Sequence, residues 1–251
     1  MNSLYKFLQR LSRFLLKLIS INYKKNHKFQ NKNQVTNTEL ILSLLKEKIN
    51  PNYILDIGCG HGEWFLKCFK FFPNSKYLLF DANKNNKHKL SLLSSKYSQI
   101  SYKICLLSDT IKEFKFFNMG YGSSVYEENT NHPRDIELIK STTLKEELSK
   151  YSINSKNNII KLDVQGSEID ILSGLQEKIF LFEVVILETS LKEYNKNSPL
   201  FLNVINFMDS KKYIFYDICD MKRLGNNSSF LVQFDAVFVK SGSNLLNFDF
   251  T

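Results

Sequence analysis

Cysteine is scarce in this chain, which contains only Cys59, Cys68, Cys105 and Cys219. No two of them form a C-x-x-C pair, and this scatter argues against a zinc site. The four histidines are scattered in the same way. Since a secretory signal pattern is lacking as well, we expect a cytoplasmic protein with reduced thiols.

Long apolar runs are missing too. Near the N-terminus, basic side chains interrupt every apolar stretch. A transmembrane helix is therefore not expected there. The basic side chains recur at helical steps and fall within an arc of about 60°, with apolar side chains on another side. They are Lys6, Arg10, Arg13 and Lys17, and the apolar ones are Leu4, Phe7, Leu8, Leu11, Phe14, Leu15 and Leu18. The pattern predicts a basic amphipathic helix over residues 4–21, followed by an Asn/Lys-rich linker to residue 37. Such a helix docks on its own domain or on a second subunit of a homo-oligomer, or it attaches peripherally to an anionic inner membrane face.

Acidic residues are absent from the first 38 positions, which contain eight Lys or Arg. The rest of the chain has 26 basic and 25 acidic residues, so most of the net charge of +9 belongs to the N-terminal segment. A near-neutral body argues against a nucleic-acid groove. With 251 residues, 43% of them hydrophobic, and no internal repeats, the chain predicts one α/β domain over residues 38–251.

The dinucleotide fingerprint G-x-G-x-x-G is missing, but a related glycine motif follows the apolar run 53–57. It reads D-x-G-x-G-x-G, with Asp56, Gly58, Gly60 and Gly62. A strand, a glycine loop and a helix open a nucleotide-binding sheet, and glycine lets the backbone turn tightly there. Carboxylates at Asp56 and Glu63 repel a pyrophosphate, whereas they suit the ammonium and sulfonium groups of S-adenosylmethionine. We therefore expect this cofactor.

Two later strand ends add candidate cofactor contacts. The apolar run 77–80 ends in Asp81, whose carboxylate is placed to accept hydrogen bonds from ribose hydroxyls. A third strand over residues 100–107 is followed by Ser108 and Asp109, beside the expected position of the adenine. Asp109 either meets the exocyclic amine or is an ordinary turn residue.

Further elements follow from local patterns. Helices are expected over residues 38–49, 63–72, 87–97, 143–150 and 199–211, the last with Pro199 in its first turn, and one more is opened by Gly166 and Ser167 with Glu168 in its first turn. Additional strands are expected over residues 113–118, 136–141, 159–162 and 184–187, and an antiparallel closing pair over residues 213–218 and 236–239. The polar segment 119–133 is long enough to be a binding loop.

Several of these segments resemble the FkbM-like S-adenosylmethionine-dependent methyltransferases. The resemblance lies in D-I-G-C-G-H-G from Asp56, S-S-V-Y-E-E-N from Ser123, T-T-L from Thr142, K-L-D-V-Q-G-S-E-I-D-I-L from Lys161 and Q-F-D-A-V-F-V from Gln233. It covers residues 35–240. It implies a Rossmann-like class I fold, with a seven-stranded, mostly parallel sheet, an antiparallel closing strand and helices on both faces. It also implies O-methylation of a hydroxyl on a sugar, glycan or natural product.

Asp163 and Glu188 follow the other two parallel strands, and we expect them to face the acceptor. Ligands of open α/β sheets lie outside the carboxyl ends of the strands, and Asp56 and Asp81 serve the cofactor. One of the two carboxyl groups is then the general base and the other orients the hydroxyl, or together they hold a divalent cation. The loop adds candidates by position alone, namely Tyr121, Ser123, Ser124, Tyr126 and His132.

Two other functions fit the same pattern less well. A non-catalytic binding or scaffold protein with this fold has no need of all the acidic strand ends together. A nicotinamide-dependent oxidoreductase is disfavoured by the glycine spacing.

Overall fold

A computed structural model of the chain describes residues 37–153 and 156–247. The helix and most of the linker predicted N-terminal to residue 38 lie outside these residues. Ten strands occur in them: β1 Tyr53–Ile57, β2 Lys76–Asp81, β3 Ile100–Ile104, β4 Leu106–Ser108, β5 Glu113–Asn118, β6 Asp135–Thr143, β7 Asn158–Leu162, β8 Phe182–Ser190, β9 Tyr213–Leu224 and β10 Phe230–Lys240.

Seven of these strands form the main sheet, in the order β3-β2-β1-β7-β8-β10-β9. The first five are parallel, and β10 pairs antiparallel with both β8 and β9. The predicted seven-stranded, mostly parallel sheet with an antiparallel closing pair is thus confirmed. The chain passes from β1 outward to β2 and β3, then returns to place β7 on the other side of β1. A ligand crevice forms at such a switch point, outside the carboxyl ends of β1 and β7.

Helices cover both faces of the main sheet, as the resemblance implied. They are α1 Asn37–Lys48, α2 Glu63–Phe69, α3 Lys87–Lys96, α4 Leu144–Leu148, α5 Glu168–Leu175 and α6 Phe201–Ser210. Successive residues of a strand point to opposite faces. Ile54 accordingly joins the apolar cluster with α1, α2 and α3, whereas Leu55 joins the cluster with α4, α5 and α6. Pro199 precedes α6, whose N-cap is Leu200, so the predicted helix start was two residues early.

The strand predicted over residues 100–107 is two strands in different sheets. The amide of Cys105 donates to the carbonyl oxygen of Asp81 at 2.9 Å, and pairing with β2 ends there. Residues 106–108 then pair in parallel with β6, which also pairs antiparallel with β5. The resulting three-stranded sheet, with the order β4-β6-β5, was not predicted, because only β6 brings these short strands together.

Candidate active site

The glycine loop after β1 adopts backbone conformations that favour glycine. Gly58, Gly60 and Gly62 have φ angles of 75°, 54° and 84°. At Gly58 a Cβ atom would lie 1.9 Å from the backbone oxygen of Asp163, so a side chain there would separate the ends of β1 and β7. The amide of Gly58 also donates to the carbonyl oxygen of Phe80 at 2.8 Å. Glycine at this position therefore keeps three strand ends in contact at the switch point.

Asp81, at the end of β2, holds the glycine loop and faces the crevice. Its Oδ2 accepts a hydrogen bond from the amide of Gly60 at 2.7 Å, and its Oδ1 accepts one from the amide of Asn83 at 2.8 Å. Burial raises the pKa of Asp81, although these backbone donors oppose the shift. The side chain of Asn86 provides a third hydrogen bond. A carboxylate has about four acceptor sites, so the group can still accept a hydrogen bond from a ribose hydroxyl.

The crevice is a cavity that runs from the glycine loop to β4 and β5. Its apolar wall contains Phe80, Leu106, Leu107 and Phe116, and its polar wall contains Gly60, Asp81 and Asn83. A flat heteroaromatic ring fits between apolar side chains, and the polar wall suits a ribose. The shape of the cavity gives no reason to place the phosphate groups of a dinucleotide beyond the ribose rather than the methionine part of S-adenosylmethionine.

Ser108 and Asp109 do not line this cavity, and their contact with the adenine stays a prediction. Asp109 is exposed, and its Oδ1 accepts hydrogen bonds from the hydroxyls of Ser108 and Thr110, both at 3.1 Å. The backbone of Ser108 and Asp109 packs instead against Gly174 in α5, where a Cβ atom would lie 2.4 Å from the oxygen of Ser108. The cause is the early end of β3, which turns residues 106–108 towards β6. Leu106 and Leu107 occupy the place predicted for the two polar residues.

Asp56 is buried and does not line the cavity either. Its Oδ2 has no hydrogen-bond partner among the described residues. Burial raises its pKa to about 7, Lys161 opposes the shift, and the carboxylates of Asp163, Asp81 and Asp235 add to it. Asp56 therefore belongs to a buried cluster of charged groups, and its contact with the cofactor stays a prediction.

That cluster centres on Lys161, a residue of β7 that is only 4% exposed. Its Nζ lies 2.8 Å from Oδ2 of Asp163 and 3.7 Å from Oδ2 of Asp235. On the far side of Asp163, the side-chain nitrogen Nε2 of Gln165 donates to Oδ1 of Asp163 at 3.1 Å and to Oε2 of Glu188 at 2.6 Å. The structure thus brings Asp163 and Glu188 together, as predicted.

The two carboxyl groups differ in charge because their surroundings differ. Burial tends to raise the pKa of Asp163, but the charge and the hydrogen bond of Lys161 outweigh it and hold the pKa below its usual range. For Glu188, burial and then the negative charge of Asp163 raise the pKa well above its usual range. Asp163 is therefore the more acidic member of the pair, and Glu188 holds its proton more tightly.

A second cavity opens on the other side of Asp163. It is lined by Met119, Tyr121, Gly122, Glu128, His132, Pro133, Asp163, Gln165, Glu188, Tyr194 and Lys222. Asp163 and Tyr121 line both cavities. The side chain of Asp163 is 36% exposed, although its partner Lys161 is buried. A group bound in the second cavity can therefore reach the same carboxylate that faces the first.

The predicted acceptor contacts divide between the two cavities. His132 lines the second cavity, as expected for an acceptor residue. Ser123 and Ser124 line the first, and their hydroxyls donate to the backbone oxygens of Gly120 at 2.8 Å and Gln165 at 2.9 Å. Tyr126 lines neither, since its hydroxyl donates to Asp170 at 3.0 Å. These three side chains hold the loop 119–134 in place, and their contact with the acceptor stays a prediction.

The loop 119–134 is joined to the rest of the site at two points. The hydroxyl of Tyr121 lies 2.8 Å from Nδ1 of His61 in the glycine loop and donates to Glu63 at 3.2 Å. At the other end, the amide of Asn129 donates to the carbonyl oxygen of Tyr194 at 2.8 Å. The contact with His61 places the ring of Tyr121 beside the first cavity. The contact between Asn129 and Tyr194 completes the wall of the second cavity.

Glu168 lies in the first turn of its helix, as the sequence indicated. It opens α5, and its carboxyl group accepts hydrogen bonds from the amides of Val164 at 3.0 Å and Gly166 at 3.1 and 3.2 Å. These bonds fix the backbone that carries Asp163 and Gln165. Burial raises the pKa of Glu168 to about 7, against the effect of the backbone donors.

Sequence reasoning missed Lys161, Gln165, Tyr194 and Lys222 as site residues. A signal existed for Lys161, because it is the only charged residue within the apolar strand 158–162. For Tyr194 and Lys222 there was none. They reach the second cavity from the segment after β8 and from β9, and only the tertiary structure places these segments beside the loop 119–134.

A divalent cation does not fit between Asp163 and Glu188. The oxygens that it would need already accept hydrogen bonds from the ammonium of Lys161 and the amide of Gln165. Within residues 37–153 and 156–247, no group of three or more His, Cys, Asp or Glu side chains is arranged to hold a metal ion. The predicted pair of metal ligands is therefore not supported.

The same part of the chain contains no helix long and apolar enough to cross a membrane.

Comparison with known proteins gives one family and several remote structures. Residues 44–215 match the model of the family described as the methyltransferase FkbM domain. None of the curated proteins matches the sequence.

Methyltransferase FkbM from Methylobacillus flagellatus KT is 13% identical with a TM-score of 0.48, and the match covers 74% of this chain but only 44% of that one. TrmK of M. capricolum, in complex with S-adenosylhomocysteine, is 13% identical with a TM-score of 0.47 over 83% of this chain and 70% of that one. The fibrillarin pre-rRNA processing protein of Methanococcus jannaschii is 10% identical with a TM-score of 0.49, over 77% and 68% respectively.

Proposed function

The chain belongs to the FkbM methyltransferase family, and we propose that it transfers the methyl group of S-adenosylmethionine to a hydroxyl oxygen of a sugar, glycan or natural product. The observation that carries this proposal is the position of Asp163, which lies in the walls of both cavities. A donor in one cavity and an acceptor in the other would meet at this carboxylate.

The first cavity fits S-adenosylmethionine in shape and in polarity. The glycine loop would allow close approach of the methionine part, Asp81 would accept from the ribose, and Leu106 and Phe116, which line the cavity, would hold the adenine. When bound, the cofactor supplies a methyl group on a sulfonium, and the acceptor oxygen forms its bond to that carbon as the carbon–sulfur bond breaks.

The second cavity holds the acceptor hydroxyl beside Asp163. Asp163 is ionised and accepts the hydroxyl proton as the oxygen becomes the nucleophile. Glu188, whose pKa is raised by burial and by the charge of Asp163, lines the same cavity and orients the acceptor oxygen beside Asp163. The rings of Tyr121 and Tyr194 and the carboxyl group of Glu128 line the walls, and aromatic faces and carboxyl groups suit the apolar and hydroxyl faces of a sugar.

Calorimetric titration with S-adenosylmethionine and S-adenosylhomocysteine tests the cofactor. We expect saturable binding by the wild type and a loss of about tenfold or more for Asp81→Asn, because a charged hydrogen bond to the ribose is removed. Asp109→Asn should change the affinity by less than about twofold, since Asp109 lies outside the cavity. Equal losses in the two variants would show that the adenine lies beside Asp109 instead. A folded wild type that binds neither compound would refute the proposal.

Transfer is tested with a panel of mono- and oligosaccharides and tritium-labelled S-adenosylmethionine. Turnover of any member should fall about a hundredfold or more in Asp163→Asn, with little change in cofactor affinity. Unchanged turnover in Asp163→Asn would remove this carboxylate from the mechanism.

A further inference from the structure

Lys161 is a charged side chain inside a central strand of the main sheet. All five residues of β7 are buried, and β7 pairs on one side with β1 and on the other with β8. An ammonium group at such a place is costly unless carboxylates surround it. Its presence in the strand therefore needs a reason that apolar packing does not supply.

The carboxyl groups around Lys161 come from three different strands or the residues that follow them. Asp56 lies opposite Lys161 in the register of β1 with β7, Asp163 follows two residues later, and Asp235 is in β10. Glu188 of β8, which pairs with Asp235, adds a fourth carboxyl group beside Asp163. Four acids and a single base thus share one buried cluster, in which Asp163 and Asp235 lie within 4 Å of the ammonium.

The ammonium of Lys161 stands where a divalent cation would neutralise Asp163. Its 2.8 Å hydrogen bond takes up Oδ2, while Gln165 takes up Oδ1 and the facing oxygen of Glu188. Burial by itself would lower the pKa of Lys161, but the charges of Asp163, Asp235 and Asp56 raise it well above its usual value, so the group stays charged. A fixed positive charge thus already stands on the inner side of the carboxylate.

We propose that the Lys161 ammonium is a positioning group that replaces a divalent cation: it holds Asp163 as the carboxylate that faces the acceptor, and the site works without a metal ion. This inference rests on the proposed methyl transfer for its purpose, but its geometry does not involve the cofactor. It follows that removal of the ammonium leaves Asp163 and Asp235 without their positive partner, a charge that a divalent cation can supply in its place.

Titration with Mn²⁺ alone tests this, with free Mn²⁺ followed by electron paramagnetic resonance on the full chain. The wild type should show no saturable binding that depends on Asp163. Lys161→Ala, which removes the charge and leaves space, should bind Mn²⁺ about tenfold or more tightly than the wild type. Lys161→Ala/Asp163→Asn should lose that gain, because one of the ligands is gone.

Lys161→Ala leaves buried carboxyl groups without their partner and so lowers stability. The variant Lys161→Ala/Asp235→Asn removes one of these groups as well, and it keeps Asp163 and Glu188 for the metal ion. A thermal melt establishes which of the two variants is folded, and the folded one decides the outcome. A loss of packing alone would create no affinity for Mn²⁺, so the gain separates positioning from a merely structural role.

Two results would overturn the inference. One is Mn²⁺ binding by the wild type that Asp163→Asn abolishes, since the site would then be a metal site. The other is a folded variant without Lys161 that gains no affinity for Mn²⁺. Because no cofactor is present in this titration, a failure of S-adenosylmethionine binding would leave the result intact, and the two failures can be told apart.

Discussion

At the scale of single residues, buried carboxyl groups dominate the chemistry of this molecule. Burial raises the pKa of Asp56, Glu168 and Asp235 to about 7 each. Between the unfolded pKa near 4 and this folded value, the folded chain binds protons that the unfolded chain has released. Stability from these groups is therefore fully present below the unfolded pKa and is lost as the pH rises through about 7.

Glu168→Gln should remove one part of this pH dependence, since glutamine keeps the uncharged shape and can still accept from the amide of Val164. Between pH 5 and pH 8 the free energy of unfolding of the wild type should fall relative to the variant by about 2 kcal/mol. Chemical denaturation at both pH values measures the difference. A constant difference between the two proteins would show that Glu168 does not titrate in this range.

At the scale of elements, the loop 119–134 decides what each cavity encloses. It touches the glycine loop through Tyr121 and His61, and it touches the segment after β8 through Asn129 and Tyr194. Tyr126, by contrast, ties the loop to α5 through Asp170. The same loop thus carries one tyrosine hydroxyl at the cavities and another outside them, which allows a matched comparison.

Tyr121→Phe should speed up release of S-adenosylhomocysteine by about fivefold, because the hydrogen bond that ties the loop to His61 is lost. Stopped-flow displacement of the bound product measures this rate. In Tyr126→Phe the rate should stay within about twofold of wild type, while the protein loses about 1 kcal/mol of stability from the missing bond to Asp170. Equal release rates in the two variants would contradict a closing role of Tyr121.

At the scale of the whole molecule, the excess of basic residues and the residues that line the two cavities lie in different parts of the chain. The first 38 residues contain eight basic and no acidic side chains, whereas the residues that line the two cavities all lie between positions 57 and 222. The division into a basic segment of residues 1–37 and a catalytic domain of residues 38–251 stays a proposal. Whether the basic segment attaches to protein or to a membrane can be measured directly.

Deletion of residues 1–36 should leave the affinity for S-adenosylmethionine within about twofold of the full chain, since no residue of either cavity is removed. Calorimetry checks this, and a loss of tenfold would contradict the proposed division. Sedimentation with vesicles of neutral or anionic lipid then compares the two proteins. Binding of only the full chain to anionic vesicles supports membrane attachment, and a change in oligomeric state supports docking on a second subunit.

Local patterns were enough for much of the fold. Short apolar runs that end in a carboxylate located β1, β2 and β7, and the spacing of three glycines located the loop between β1 and α2. These features are encoded within a few residues, because strand formation and positive φ angles depend on neighbours in sequence. Asp81 and Asp163 were accordingly predicted at the carboxyl ends of their strands, and both line cavities there.

Strand lengths and the small sheet needed pairing partners that are distant in sequence. The strand β8 continues through Glu188 to Ser190, beyond the predicted end at Leu187, because β10 pairs with it that far. The split between β3 and β4 likewise depends on β6, which lies more than 30 residues further along the chain. No local pattern contains these partners.

The sequence by itself determined the family, the mostly parallel sheet and the carboxyl groups at its edge, because period, glycine spacing and strand-end residues are local properties. Only the tertiary structure decided which carboxyl groups act together. Asp163 and Glu188 share Gln165, Asp56 is withdrawn from the cavity, and Asp109 faces solvent. The charge of each group depends on burial and on neighbours from other strands, above all on Lys161, and these arise only when the sheet is assembled.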